Sequence, residues 1–78
     1  MKVKITKADG ELYDGEATLL QLPGVDGLFE MLEHHAPIIS VLKAGSIRLV
    51  DTTNSTHHFD IRGGVVKGKN NEVLLLVQ

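Results

Sequence analysis

The chain has 78 residues, with 8 Lys and Arg against 10 Asp and Glu, a net charge of −2 and no cysteine. These numbers exclude disulfides and thiolate zinc centres, and they leave no basic block to neutralise nucleic-acid phosphates. With 42% hydrophobic residues and no apolar run near the roughly 20 residues of a membrane span, the composition predicts one small folded domain over residues 1–78, with no nucleic-acid partner and no membrane insertion.

Period two dominates from the start. Val3 and Ile5 alternate with Lys2, Lys4 and Thr6, a strand with one wet face and nothing like a signal peptide. Ala8-Asp9-Gly10 reads as a turn. A strand starts after Asp14-Gly15 and ends at Pro23-Gly24. Residues 28–35 are ambiguous, because Leu28, Met31, Leu32 and His35 would share a helical face. The segment is short and bracketed by Gly27 and Pro37, so it is expected to be a strand or an irregular loop.

After Pro37, "IISVLK" reads as a strand that leaves through Ala44-Gly45. "SIRLVD" follows, with Ile47 and Leu49 on one face, Arg48 and Val50 on the other. "TTNS" is a loop. "THHFDIR" sends His57, Phe59 and Ile61 to one side and His58, Asp60 and Arg62 to the other. Gly63-Gly64 predicts a bend or bulge. In "KGKNNE", Asn70 and Asn71 suit the positive φ of a hairpin turn. "VLLLV" is apolar on both faces, which predicts a central strand. Many short strands joined by Gly and Pro turns predict an all-β fold, a sandwich or barrel.

Candidate chemistry is sparse. His34-His35 and His57-His58 suggest a metal-binding, cupin-like site. Adjacent strand residues face opposite ways, however, so each pair offers one ligand to any one site. One histidine from each pair plus Asp26, Glu30 or Glu33 would complete three ligands, but no ligand spacing is recognisable. Ser40, Ser46 and Ser55 sit in no nucleophile elbow. Lys67 and Lys69 lack a phosphate-loop frame. Lys69, before Asn70-Asn71, only loosely fits the hairpin tip of a carrier domain. No cofactor or metal is therefore expected, and a small metal-binding or carrier β-domain stands as the alternative to an interaction module.

The order of motifs supplies more. "LPG-x-x-G-x-F-x-x-L-x-x-HAP" runs from Leu22 to Pro37. "L-x-x-G-x-x-R-L" follows at Leu42, Gly45 and Arg48, then "F-x-I-x-GG-x-V" at Phe59, Ile61, Gly63 and Gly64, and "N-x-V-x-L-L" at Asn71, Val73 and Leu75. With Val3, Ile5, Tyr13, Gly15, Glu16 and Ala17 near the start, the pattern resembles the epsilon subunit of the F-type ATP synthase over essentially the whole chain.

The resemblance implies a flattened two-sheet β-sandwich or barrel of about ten short strands, placed in the rotor's central stalk. Such a subunit has no catalytic site of its own. It contacts the gamma subunit and the membrane c-ring, at the cytoplasmic face of the bacterial inner membrane. The resemblance also implies that Asp26, Leu28, Glu30, Glu33 and His35 form a c-ring docking loop. Phe29 and Leu32 would anchor that loop to the core. Pro23, Gly24, Gly27, Pro37, Gly63 and Gly64 would shape the backbone. The chain departs from the family pattern where Glu33-His34 replaces the usual Pro-Gly and where Glu30 takes a position often held by Gly. Most relatives continue into a C-terminal helical hairpin after the last strand, so the sequence reads as a short form without the inhibitory hairpin.

Overall fold

Alternating apolar residues become strand almost everywhere. The structure is a computed structural model that describes residues 1–78. It holds six strands and no helix: β1 (Lys2–Lys7), β2 (Gly10–Gly24), β3 (Gly27–Leu32), β4 (Ile38–Asp51), β5 (Thr56–Lys69) and β6 (Glu72–Val77). The all-β expectation holds, but the expected count of about ten strands is corrected to six. β2 includes Asp14-Gly15, β4 runs through Ala44-Gly45 and β5 through Gly63-Gly64.

The physical reason is that Gly45 and Gly64 mark close approaches within strands. A Cβ on Gly45 would lie 2.8 Å from Cβ of Pro23, and one on Gly64 would lie 2.5 Å from the Leu76 carbonyl oxygen. A side chain fits at neither place, and a glycine in sequence does not distinguish such an approach from a turn. No bulge forms at Gly63-Gly64, where the β4–β5 ladder keeps its register. The register shifts fall instead in β1 between Ile5 and Thr6, and in β2 between Ala17 and Leu19 and between Gln21 and Gly24. The last of these lets β2 carry Pro23, which has no N–H to give a ladder.

The sheet order is β1-β6-β5-β4-β2-β3, and β1 also pairs with β2, which closes the sheet on itself. β2 is paired with β1 over residues 10–16, with β3 over residues 19–24 and with β4 along residues 17–24. A strand has only two edges, so β1 and β3 lie end to end along one edge of β2. The result is a flattened barrel of 27 × 24 × 18 Å. β3 is bonded to β2 alone and forms the free edge.

The predicted central strand is central. β6 is parallel to β1 on one side and antiparallel to β5 on the other. Val3 and Ile5 of β1, Leu20 and Leu22 of β2, Ile47 and Leu49 of β4, Val66 of β5 and Leu75 of β6 fill the interior with no exposed surface. The hairpin prediction also holds: Asn70 (φ 55°) and Asn71 (φ 59°) make a two-residue turn between paired Lys69 and Glu72.

Candidate functional site

The segment from Leu22 to Ile38 is not one loop. It is the end of β2, a tight turn at Val25-Asp26, the edge strand β3 and an irregular connection over residues 33–37. Pro23 and Gly24 are buried, and the Phe29 ring occupies the space a Gly24 side chain would need. Gly27 takes φ 129° in the turn. Strand parity sends Phe29 and Met31 inward and Leu28, Glu30 and Leu32 outward. Phe29 packs on the core as expected. Leu32 does not; it is 54% exposed, and Met31 is the second anchor. The anchors were expected in a loop, whereas the segment is a strand, in which inward residues are two apart.

The expected docking residues are not gathered in one patch. A strand advances about 3.3 Å per residue, so Asp26 and Glu33 lie on the order of 20 Å apart at opposite ends of β3. Asp26 and Leu28 stand free at the β2–β3 turn, Leu28 being 66% exposed. Glu30 is already engaged: its Oε2 accepts from Gln21 Nε2 at 3.2 Å and lies 3.5 Å from Arg48 Nη2. Glu33 pairs with the Met1 ammonium, which also donates to the Ala17 carbonyl at 2.9 Å. The His35 ring lies against Gly68 and Met31, with Nδ1 3.1 Å from the Ala36 carbonyl. Pro37 is exposed at the entry to β4.

Sequence reasoning missed a second surface. Ile39 and Val41 of β4, Val65 of β5 and Leu74 and Leu76 of β6 are all exposed, Ile39 to 74%. The ladders set Val41 opposite Val65 and Val65 opposite Leu76, while Lys67 stands between Ile39 and Leu74. These five aliphatic side chains therefore form one apolar strip across three neighbouring strands. Contiguous strips of this kind mark partner surfaces, whereas scattered exposed aliphatics need no explanation. The signal in the sequence was "VLLLV" itself: its second apolar face has no room in the core.

The remaining features offer little chemistry. No group of three or more His, Asp or Glu side chains lies close enough to hold a metal ion. The single surface depression, about 410 Å³, is lined by Lys2, Lys4, Lys67 and Lys69 interleaved with Asp14 and Glu72. Its four lysines and two carboxylates are exposed polar side chains of a solvated sheet face. No helix is long and apolar enough to cross a membrane.

Tyr13, His57 and Phe59 form an aromatic cluster, with Tyr13 and Phe59 packed against the core. Tyr13 meets the His57 ring edge-on at 5.5 Å between centroids. Burial pushes the Tyr13 hydroxyl pKa up, and the Asp51 and Glu16 carboxylates add to that. Asp51 is held well below the usual carboxylate range. The His57 side chain is the largest cause, followed by the Thr53 hydroxyl and the Ser55 amide. Asp51 Oδ2 lies 2.8 Å from His57 Nε2, and Oδ1 accepts from the Thr53 hydroxyl at 2.7 Å and from the Ser55 N–H at 3.0 Å.

A carboxylate whose pKa falls on folding adds stability above its unfolded pKa and loses it as pH drops through the folded value. Thermal unfolding of the wild type should therefore steepen in its pH dependence below about pH 4. Asp51→Asn should flatten that acid limb. Identical acid limbs in melts of the two proteins would show that Asp51 contributes nothing.

The family described as ATP synthase, Delta/Epsilon chain, beta-sandwich domain matches residues 1–78. An ATP synthase epsilon chain of Chlorobium limicola is 35% identical over 77 residues, which cover 99% of this chain and 88% of that one. The epsilon chain of Helicobacter pylori strain 26695 is 36% identical over 76 residues, covering 97% of this chain but 61% of its own. Among solved structures, a chain from the central stalk/c-ring structure of the Tetrahymena thermophila mitochondrial ATP synthase superposes with a TM-score of 0.85 at 17% identity, over all of this chain and 63% of that one. A chain from the Euglena gracilis mitochondrial ATP synthase structure reaches 0.90 at 16% identity, over 96% of this chain and 48% of its own. At such identities the superpositions speak for the fold, while the sequence matches speak for descent. The six-stranded closed sheet thus has its counterpart in those synthase chains, and the chain belongs to the ATP synthase delta/epsilon family, as its β-sandwich domain.

Proposed function

We propose that this chain acts as an epsilon-type rotor subunit, a non-catalytic coupling element between a gamma subunit and the membrane c-ring of a proton-translocating ATP synthase. On this reading it is a peripheral subunit at the cytoplasmic face of a bacterial membrane and carries no cofactor. The observation that carries the proposal is the apolar strip on β4, β5 and β6 in a member of this family. Burying it against gamma supplies affinity at about 25 cal/mol per Å² of apolar surface removed from water, less the costs of association. The ring contact falls to the β2–β3 turn, where Asp26 and Leu28 are free and Glu30 stands alongside. Glu33 and His35, at the far end of β3, hold the strand in place.

The two contacts have different physics and separate experimentally. Val65→Lys with Leu76→Glu places two charges of opposite sign, which can pair across the strands, in the strip without touching the core. Gamma binding, measured by titration against the purified cognate subunit, should weaken at least tenfold, as for central apolar anchors. The melting temperature should stay near wild type. Asp26→Lys with Glu30→Lys should leave gamma binding intact. It should weaken attachment to membranes stripped of endogenous epsilon, with each rim charge worth only about 0.2–1 kcal/mol. Attachment of the unaltered chain should itself fall as salt is raised. Unchanged gamma affinity in the first variant rejects the strip as the gamma surface. Wild-type attachment and salt dependence in the second would reduce the acids to a solvated face.

A further inference from the structure

The end of β3 has an anchor that its own ladder does not provide. β3 is bonded only to β2, and its pairing stops at Leu32 opposite Leu19. Two residues later His34 adopts φ 61°. A residue other than glycine is uncommon in the left-handed region, although histidine enters it more readily than most, and a defined contact is what holds it there. The determining contact comes from a residue 37 positions away: the His34 N–H donates to Asn71 Oδ1 at 2.7 Å. Asn71 is itself left-handed (φ 59°) in the β5–β6 turn, and its carbonyl accepts the Lys2 N–H at 3.0 Å. One asparagine thus joins the start of β1, the β5–β6 turn and the segment after β3. The following side chain completes the fit. The His35 ring lies over Gly68, where a Cβ would come within 2.8 Å of its Cε1, and its buried Nε2 has no partner.

We propose that Asn71 is the positioning residue of β3, a latch whose side-chain oxygen holds the 33–37 segment and so fixes the strand that presents Asp26, Leu28 and Glu30. The positioning role rests on the docking reading above; the latch does not. Position 71 needs a residue that tolerates the left-handed backbone and carries an acceptor one carbon beyond Cβ. Asn and Asp satisfy both requirements with a carbonyl or carboxylate oxygen. A glycine keeps the turn and loses the latch.

The test uses the full chain with Asn71→Gly and Asn71→Asp, followed by hydrogen exchange and by attachment to membranes stripped of endogenous epsilon. Loss of one such hydrogen bond should speed amide exchange at His34 about tenfold in Asn71→Gly. Asn71→Asp should exchange at nearly the wild-type rate. In both variants β6 should keep its protection, because the turn backbone is intact. Membrane attachment should weaken severalfold in Asn71→Gly alone, with gamma binding unchanged. Wild-type exchange in Asn71→Gly overturns the latch and leaves the Glu33–Met1 pair and the His35 packing as the holders of the segment. Asn71→Asp exchanging as fast as Asn71→Gly overturns it too. Faster exchange with unaltered attachment overturns the positioning role. If the wild-type chain itself fails to attach, the docking reading falls, and with it the positioning role, while the exchange measurement still decides the latch.

Discussion

Leu75→Ala should lower the stability of the protein by about 2–5 kcal/mol, whereas Leu76→Ala should change it by no more than about 0.5 kcal/mol. The two leucines are neighbours on β6 and identical in chemistry. Leu75 is fully buried, opposite Ile5 of β1 and Val66 of β5, which are fully buried too. Leu76 is 53% exposed. Emptying a buried leucine site costs about 2–5 kcal/mol, because the lost transfer energy is joined by a cavity that its neighbours only partly fill. A chain of 78 residues holds about 4–12 kcal/mol in total, so the loss takes up much of the margin. Urea unfolding of the two variants checks this. Similar midpoints would mean that the burial assigned to β6 is wrong.

Gly64→Ala should cost about 1–3 kcal/mol although it adds a single methyl. The new Cβ would lie 2.5 Å from the Leu76 carbonyl oxygen and 3.0 Å from Cα of Val77, both backbone atoms of the paired strand. Relief requires β5 and β6 to separate where their ladder begins. Gly68→Ala is the comparison. Its Cβ would meet His35 Cε1 at 2.8 Å and Met31 Cε at 2.9 Å, far ends of side chains that can turn away. Thermal melts should therefore rank Gly64→Ala below Gly68→Ala, and both below wild type. The reverse order would show that strand separation is cheap here and that the Met31 and His35 packing is the tighter constraint.

Much of this molecule was legible in its residues. Alternation over Lys2–Lys7 and Thr56–Ile61 gave the strands and their inward faces, since a period of two leaves no other way to bury Val3, Ile5 and Ile61. Asn70-Asn71 announced a two-residue turn because these side chains tolerate positive φ. The motif order pointed to the family that the sequence comparisons then showed. The departure at His34 was legible as well, but not how it is accommodated. The residue takes a left-handed φ where the family pattern has glycine, and its N–H is held by an asparagine on another hairpin.

What the sequence by itself determined was local: strand periodicity, turn chemistry and the absence of thiol chemistry. Only the tertiary structure decided that six strands run where ten were expected, that Gly45 and Gly64 are points of contact, and that Glu30 is tied to Arg48. It alone decided that Leu74 and Leu76 join Val65, Val41 and Ile39 on an exposed face. The reason is common to all of these. Each depends on which distant strand lies alongside, and pairing between strands is set by closure of the whole sheet, about which a window of neighbouring residues carries no information.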